Sequence, residues 1–121
     1  MEGQAKFGPP VIKVSSSDIT EQFQIKKTGV NAKVPSLVVI YSPGCIHCKI
    51  MEPEYVSGAR KYLGKAQFLA IDGKLPKNAR LMKKMGVTSF PTILKVKNGF
   101  LTPVKFNKDR KAKNFYDFAN S

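Results

Sequence analysis

Short apolar runs alternate along the chain with segments whose apolar residues recur every three or four positions. The runs predict strands at 11–14, 37–41, 67–72, 91–97 and 100–106, and the periodic segments predict helices at about 17–29, 45–63, 76–85 and 109–119. The run at 37–41 has no polar residue before its final tyrosine, which is typical of a strand buried on both faces. The element order is then β-α-β-α-β-α-β-β-α, with crossover units first and an antiparallel hairpin last.

Capping and turn residues set the ends of several elements. Ser17 or Asp18, followed by Glu21, predicts the start of the first helix, and Gly86 predicts the end of the third. The pair Asn98-Gly99 is a strong hairpin signal between the last two strands. In the helix over 45–63, one face should carry Met51, Tyr55, Ala59, Tyr62 and Leu63, and Pro53 should bend the helix.

The fold class that follows is α/β, with a mixed central β-sheet flanked by helices on both faces. At 121 residues the chain is long enough to bury the core of one domain without disulfides or metals. We expect a flexible leader over 1–10 and a single domain over 11–121.

The only two cysteines, Cys45 and Cys48, stand where the buried strand gives way to a helix. Free backbone N–H groups and the helix dipole at such a position stabilise a thiolate. The arrangement indicates thiol–disulfide exchange, with Cys45 as nucleophile and Cys48 as resolving cysteine. Two alternatives stay open. A zinc site takes about four ligands, beyond the two cysteines and His47 found here, and a static disulfide closing so short a loop would restrain the unfolded chain little.

Positive charge is concentrated in the second part of the chain. Residues 1–72 carry nine basic and six acidic side chains, whereas residues 73–121 carry twelve basic and two acidic, for a net charge of +13. Two clusters stand out: Lys74, Lys77, Arg80, Lys83 and Lys84, and then Lys105, Lys108, Arg110, Lys111 and Lys113. They indicate either an anionic partner, such as an acidic protein or nucleic acid, or simply solvated faces that aid solubility.

The ends of the chain lack targeting signals. Residues 1–10 contain no apolar stretch of signal-peptide length, no run approaches the ~20 residues of a membrane span, and the last four residues are not a retention signal. We therefore expect a cytoplasmic protein without a membrane contact, kept in a compartment where paired cysteines are more often catalytic than structural. Packaging in a virus particle is the alternative location.

Four motifs, in order, make the chain similar to the thioredoxin family over nearly all of 11–121. They are the strand followed by C-x-x-C-Lys, Pro53 five residues after Cys48, the segment Gly86-Val87-Thr88-Ser89-Phe90-Pro91-Thr92, and the Lys97-Asn98-Gly99 hairpin. The resemblance implies a thioredoxin-like fold and a cis bond before Pro91. It also implies that Pro91 lies against the reactive sulfur and that the backbone of Phe90 binds an extended substrate.

Within the family, the chain resembles protein disulfide isomerase catalytic domains, which read Tyr-Ala-Pro-Trp-Cys-Gly-His-Cys-Lys where this chain reads Tyr41-Ser42-Pro43-Gly44-Cys45-Ile46-His47-Cys48-Lys49. A histidine beside the thiolate stabilises the dithiol and raises the reduction potential, so His47 is a candidate tuning residue. Three positions depart from the family pattern. Gly44 replaces a tryptophan and Ile46 replaces a glycine that adjoins the sulfur. Val39 replaces a buried acid, with Phe68 near the position of that acid's lysine partner.

The resemblance implies a thiol–disulfide oxidoreductase that acts on protein thiols and disulfides through a mixed disulfide. The expected site comprises the catalytic Cys45 and Cys48, the tuning residue His47, and the substrate-binding residues Ile46, Phe90 and Pro91. We expect no metal or organic cofactor and a monomer. The alternative function is a basic binding module for an acidic protein or nucleic acid, with redox chemistry minor.

Overall fold

A mixed five-stranded β-sheet forms the centre of the molecule, for which a computed structural model describes residues 3–121. The strands are β1 (Ile12–Lys13), β2 (Ser36–Tyr41), β3 (Gln67–Asp72), β4 (Thr92–Lys97) and β5 (Phe100–Lys105), and the helices are α1 (Ile46–Lys61), α2 (Ala79–Met85) and α3 (Ala112–Asn120). Short 3₁₀ turns occur at Ser16–Asp18 and Pro76–Asn78. The sheet order is β1-β3-β2-β4-β5, with β1, β2 and β3 parallel and β4 antiparallel to both β2 and β5. The predicted mixed α/β sheet is confirmed.

The central strand β2 is covered on both faces because its side chains alternate between two cores. Leu37, Val39 and Tyr41 join the core formed with α1 and α3, whereas Val38 and Ile40 join the core formed with α2. All six residues of β2 are buried, which explains why this segment shows no polar alternation. The helices therefore lie on both sides of the sheet, as the sequence predicts.

Tyr55 of α1 forms the centre of the core on the side of α1 and α3. Its ring is fully buried, and its hydroxyl donates a hydrogen bond of 2.7 Å to the backbone oxygen of Leu69. The rings of Phe7, Phe68 and Phe115 pack edge-on around it, with centroids 5.0–5.5 Å away. The predicted apolar face of α1 is confirmed for Met51, Tyr55 and Ala59. It is wrong for Leu63, which is 70% exposed because α1 ends at Lys61 and the chain turns there.

The helix predicted at 17–29 does not form. Only the 3₁₀ turn at Ser16–Asp18 is helical, and the chain then extends to pair with the β4–β5 hairpin. The N–H of Ile25 donates to the backbone oxygen of Gly99, and the N–H of Leu101 donates to that of Phe23. Phe23 has a positive φ of 68°, which no helix allows. The conformation of this region is therefore determined by pairing with a segment some 75 residues further along the chain, and not by the local capping pattern.

The segment over 3–10 is part of the domain and not a leader outside it, which corrects the predicted boundary for these residues. Phe7 is completely buried, with its ring centroid 4.9 Å from that of Tyr41, and Ala5 is 3% exposed. The carboxylate of Glu52 in α1 accepts hydrogen bonds from the N–H groups of Lys6 and Phe7, at 3.3 Å and 3.1 Å. The N–H of Ala5 donates to the backbone oxygen of Pro43 at 2.9 Å. This segment therefore binds both α1 and the turn that precedes it. Met1 and Glu2, the first residues of the predicted leader, lie outside the described residues.

The final helix, α3, begins at Ala112, later than the predicted position 109. Phe115 and Ala119 are buried, as its predicted face requires. The later start lengthens the loop between β5 and α3, which we call the β5–α3 loop and define as residues 106–111. Within residues 3–121, no helix combines the length and apolar character needed to cross a bilayer.

Candidate active site

Cys45 lies in the turn between β2 and α1 and acts as the N-cap of that helix. Its N–H donates to the backbone oxygen of Ser42 at 3.0 Å, and its extended backbone leads into the first helical residue. Its sulfur accepts the N–H of Cys48 at 3.2 Å, in place of the side-chain oxygen of an ordinary N-cap. α1 has no acidic residue in its first turn to compete for this position. The half-buried Cys45 sulfur therefore lies where a helix N-terminus stabilises negative charge.

Cys48 is completely buried one turn into α1. Burial, together with its hydrogen bond to Cys45, raises the pKa of the Cys48 thiol to about 12, while the backbone at Ser42 and the positive charge of Arg110 lower it in part. The two sulfurs, both thiols in this structure, thus differ in accessibility. Only Cys45 can meet a substrate from solution.

Apolar side chains fill the sheet near the cysteine pair. Val39 and Ala70 are in register on the parallel strands β2 and β3, both completely buried, and both belong to the core that contains Cys48. Phe68, which the sequence places near the position of the family's lysine, is in register with Leu37 instead. No proton-transfer group therefore stands at Val39 or at its neighbour.

Phe90 and Pro91 complete the candidate site from the segment that leads into β4. The Phe90–Pro91 bond is cis, as predicted. The thiol of Cys45 donates to the backbone oxygen of Phe90 at 3.5 Å, which brings this segment against the first cysteine. The phenyl ring of Phe90 covers Gly73, where an added Cβ would clash with the ring. Sequence reasoning missed Gly73, since its role depends on a contact between distant segments.

Ile46 and His47 lie on the exposed side of the cysteine turn. Ile46, the residue after Cys45, is 64% exposed, and Ile50, one turn later in α1, is 68% exposed. His47 is also exposed, between Ile46 and the buried Cys48. A Cβ added at Gly44 would have no atom within 4 Å, so this side of the site has no wall where the resemblance places a tryptophan.

Arg110, in the β5–α3 loop, is a charged side chain near the cysteine pair that sequence reasoning did not single out. It was counted there within a basic cluster, whereas the structure brings its charge close enough to act on Cys48. Only the folded loop reveals this proximity, since 62 residues separate the two positions. Within residues 3–121, no group of three or more His, Cys, Asp or Glu side chains is placed to hold a metal ion.

Comparison with known proteins agrees with this geometry. The family model described as thioredoxin matches residues 12–121, which include both cysteines and all five strands. The chain belongs to the thioredoxin family. It is 30% identical over 113 residues to a probable protein disulfide-isomerase A6 of Medicago sativa, covering 91% of this chain and 30% of that protein. It is also 30% identical over 118 residues to a mitochondrial thioredoxin domain-containing protein of Schizosaccharomyces pombe, covering 94% of this chain and 31% of that one. This thioredoxin-family chain thus spans about a third of the length of these curated relatives.

Solved structures show the same thioredoxin fold. The J-Trx1 fragment of ERdj5 superposes with a TM-score of 0.71 at 25% identity, covering 93% of this chain and 49% of the fragment. Thioredoxin f from spinach chloroplast superposes with a TM-score of 0.67 at 22% identity, covering 92% of this chain and 87% of that one. The predicted thioredoxin-like fold and the resemblance to isomerase-type domains are both confirmed.

Proposed function

We propose that this thioredoxin-family domain is a thiol–disulfide oxidoreductase that acts on protein substrates through Cys45 and Cys48. The observation that carries the proposal is the asymmetric pair: the Cys45 sulfur accepts the N–H of Cys48 at the N-terminus of α1, while the Cys48 sulfur is buried beneath it. A sulfur nucleophile needs both access and stabilised negative charge, and only Cys45 has both. Similarity to protein disulfide isomerases supports the same chemistry.

In the reductive direction, the Cys45 thiolate attacks one sulfur of a substrate disulfide. A bond forms between Cys45 and that sulfur, and the second substrate sulfur leaves as a thiolate that takes up a proton. Cys48 then loses its proton and attacks the Cys45 sulfur, which breaks the mixed disulfide and releases the first substrate thiol. Two electrons pass from the cysteine pair to the substrate, and the reverse sequence oxidises a substrate dithiol. The sulfur atoms carry both electrons, so the reaction needs no further cofactor.

The resolving step is the one that this chain should perform slowly. Cys48 must lose a proton in a buried position, and burial raises its pKa to about 12. Val39 and Ala70 have no group that could accept that proton. Water is then left to accept the proton, and the positive charge of Arg110 favours the thiolate. We therefore expect resolution of the mixed disulfide to be slower than the attack that forms it.

Cysteine variants test the proposal directly. We expect the reduced protein to reduce a peptide that contains one intramolecular disulfide, and Cys45→Ser to abolish this reaction. Cys48→Ser should instead accumulate a mixed disulfide that peptide mapping places on Cys45. Brief alkylation at about pH 6 should label Cys45 before Cys48, since only Cys45 is accessible. A wild-type rate in Cys45→Ser, or an adduct on Cys48, would contradict the assignment.

The alternative function, a basic binding module, is favoured by one observation. The three cations Lys105, Lys108 and Arg110 make no ion pair with any residue in 3–121. If binding were the main activity, the Cys45→Ser variant would bind a polyanion column as the wild type does, with the same sensitivity to salt. The wild type would then reduce disulfides only negligibly.

A further inference from the structure

A cleft of about 540 Å³ opens between the beginning of β4 and the β5–α3 loop. One wall comprises Pro91, Thr92 and Ile93. The other wall carries three cations, Lys105, Lys108 and Arg110, together with one carboxylate, that of Asp109. The cleft is therefore a positively charged trough of the size that a few residues of extended peptide would occupy.

Hydrogen bonds at both ends hold the β5–α3 loop, which carries Lys108 and Arg110, while Lys105 is the last residue of β5. The N–H of Phe106 donates to the backbone oxygen of Ile93 at 2.8 Å, on the opposite wall. At the other end, the N–H of Ala112 donates to Glu54 in α1 at 2.8 Å, and the side chain of Asn114 donates to the backbone oxygen of Asp109 at 2.9 Å. A binding partner would thus meet a largely preformed arrangement, which lowers the ordering cost of binding.

The cleft begins next to the segment that contacts the Cys45 sulfur. The Cys45 thiol donates to the backbone oxygen of Phe90, and the next residue, Pro91, already lines the cleft. Arg110 on the far wall acts electrostatically on Cys48. An occupant of the cleft that extends past Pro91 would therefore reach the cysteine that forms the mixed disulfide.

We infer that this cleft binds an acidic segment of the protein substrate, next to the substrate cysteine that reacts with Cys45. The inference rests on the proposed function and adds the class of substrate. Three cations against one carboxylate in the cleft favour an anionic occupant, and steering of that occupant raises the rate of encounter. A peptide suits the position better than a nucleic acid, because only a peptide can fill the cleft and supply the sulfur from the same chain.

Matched peptides test the inference. Two peptides would share one intramolecular disulfide and differ only in the residues that flank a cysteine, glutamate in one and glutamine in the other. We expect the wild type to reduce the acidic peptide about tenfold faster at low salt, with the preference shrinking at high salt because exposed charges are screened. In the double variant Lys105→Glu/Lys108→Glu, the preference should vanish or reverse. Arg110 is left unchanged there, since its charge also affects Cys48.

The control variant is Lys33→Glu/Lys97→Glu, which makes the same change in charge at the opposite end of β2 and β4. If the preference depends on the cleft, this control keeps it. An equal loss in both double variants would show that only net charge matters, and no preference in the wild type would also overturn the inference.

Binding without chemistry separates this inference from the proposed function. The acidic peptide with both cysteines replaced by serine should bind the wild type, by fluorescence anisotropy, more tightly than it binds the cleft variant. Such binding without reduction of the disulfide peptide would preserve the acidic dock and refute the oxidoreductase. Reduction of both disulfide peptides at equal rates, without binding of the acidic serine peptide, would support the oxidoreductase and refute the acidic dock. A short single-stranded oligonucleotide is the competing probe. If it binds the wild type more tightly than the acidic peptide does, and its affinity falls in the cleft variant, the cleft is a nucleic-acid site and the inference is overturned.

Discussion

Val39 and Ala70 lie in register on the adjacent parallel strands β2 and β3, completely buried in the core that also contains Cys48. Neither side chain can take or give a proton. In the proposed reaction, the mixed disulfide with substrate is resolved only after Cys48 loses its proton. The side chains at these two positions would therefore affect how long the intermediate persists.

Val39→Asp should accelerate resolution of a mixed disulfide, by about tenfold or more, because a positioned carboxylate can accept the Cys48 proton. The readout is single-turnover release of a peptide from a preformed Cys45 adduct. The buried carboxyl should also lower the free energy of unfolding by several kcal/mol if it is charged, so the measurement requires variant protein that is shown to be folded.

The matched control for that experiment is Val39→Asn. Its amide side chain is similar in shape to that of aspartate but does not accept the proton of a thiol at the pH of the assay. We expect it to destabilise the fold without accelerating release. Equal acceleration in both variants would mean that loosened packing, and not proton transfer, limits the step.

The resolution rate should rise with pH without reaching a plateau. Burial is the largest of the causes that raise the pKa of Cys48 to about 12 in the dithiol, and it persists in the mixed disulfide. Below the raised pKa, each pH unit increases the thiolate fraction of Cys48 about tenfold. Rapid-quench measurement of adduct release between about pH 6 and pH 9 checks this, provided that the protein stays folded over the range. A rate that levels off below pH 9 would show that Cys48 ionises far more readily than its burial indicates.

His47→Pro should make the domain a stronger reductant. Removing the imidazole beside the cysteine pair destabilises the dithiol form, and we expect the reduction potential to fall by tens of millivolts, where ~30 mV corresponds to ~1.4 kcal/mol. His47 is the second residue of α1, where a backbone N–H has no partner within the helix, so proline should be tolerated. Equilibration with glutathione buffers gives the potential.

A second variant, His47→Gln, separates the imidazole from the backbone effect of proline. Both variants should lower the potential if the imidazole tunes the pair. A change confined to His47→Pro would assign the effect to the altered first turn of α1, and no change in either would remove His47 from the site.

Phe7→Ala should destabilise the domain by about 3–5 kcal/mol, as removal of a fully buried aromatic ring does elsewhere. The midpoint of chemical denaturation measures the loss. Leu63→Ala, at a side chain that is 70% exposed, serves as the control and should cost about 0.5 kcal/mol or less. Similar midpoints for both variants would mean that the segment over 3–10 contributes little to the fold.

The sequence was sufficient for the parts of the fold that local pattern controls. The apolar run of β2, the face of α1 around Tyr55 and the hairpin at Asn98-Gly99 are each determined by neighbours along the chain, and each is found as predicted. The cysteine turn belongs to the same group, since a strand and a helix on either side fix its position.

Distant contacts account for the parts that were not predicted. Residues 19–25 carry helix-like spacing but pair with the hairpin near Gly99, and a leader-like composition hid the burial of Phe7 beneath Tyr41. Arg110 comes near Cys48, and Gly73 comes under the ring of Phe90, only when separate segments of the chain meet in the fold. Periodicity and turn chemistry carry no information about such meetings.

The contacts of the N-terminal segment bear on how this domain can be excised and joined to other sequences. A shortened protein that begins at Val11 would retain every strand and helix and both cysteines, and would look complete by its regular structure. It would nevertheless have an open pocket beside Tyr55 where Phe7 belongs, and the oxygen of Pro43, two residues before Cys45, would lose the N–H of Ala5. Fusion partners and cleavable tags are therefore best joined ahead of Ala5, because the functional boundary is set by packing.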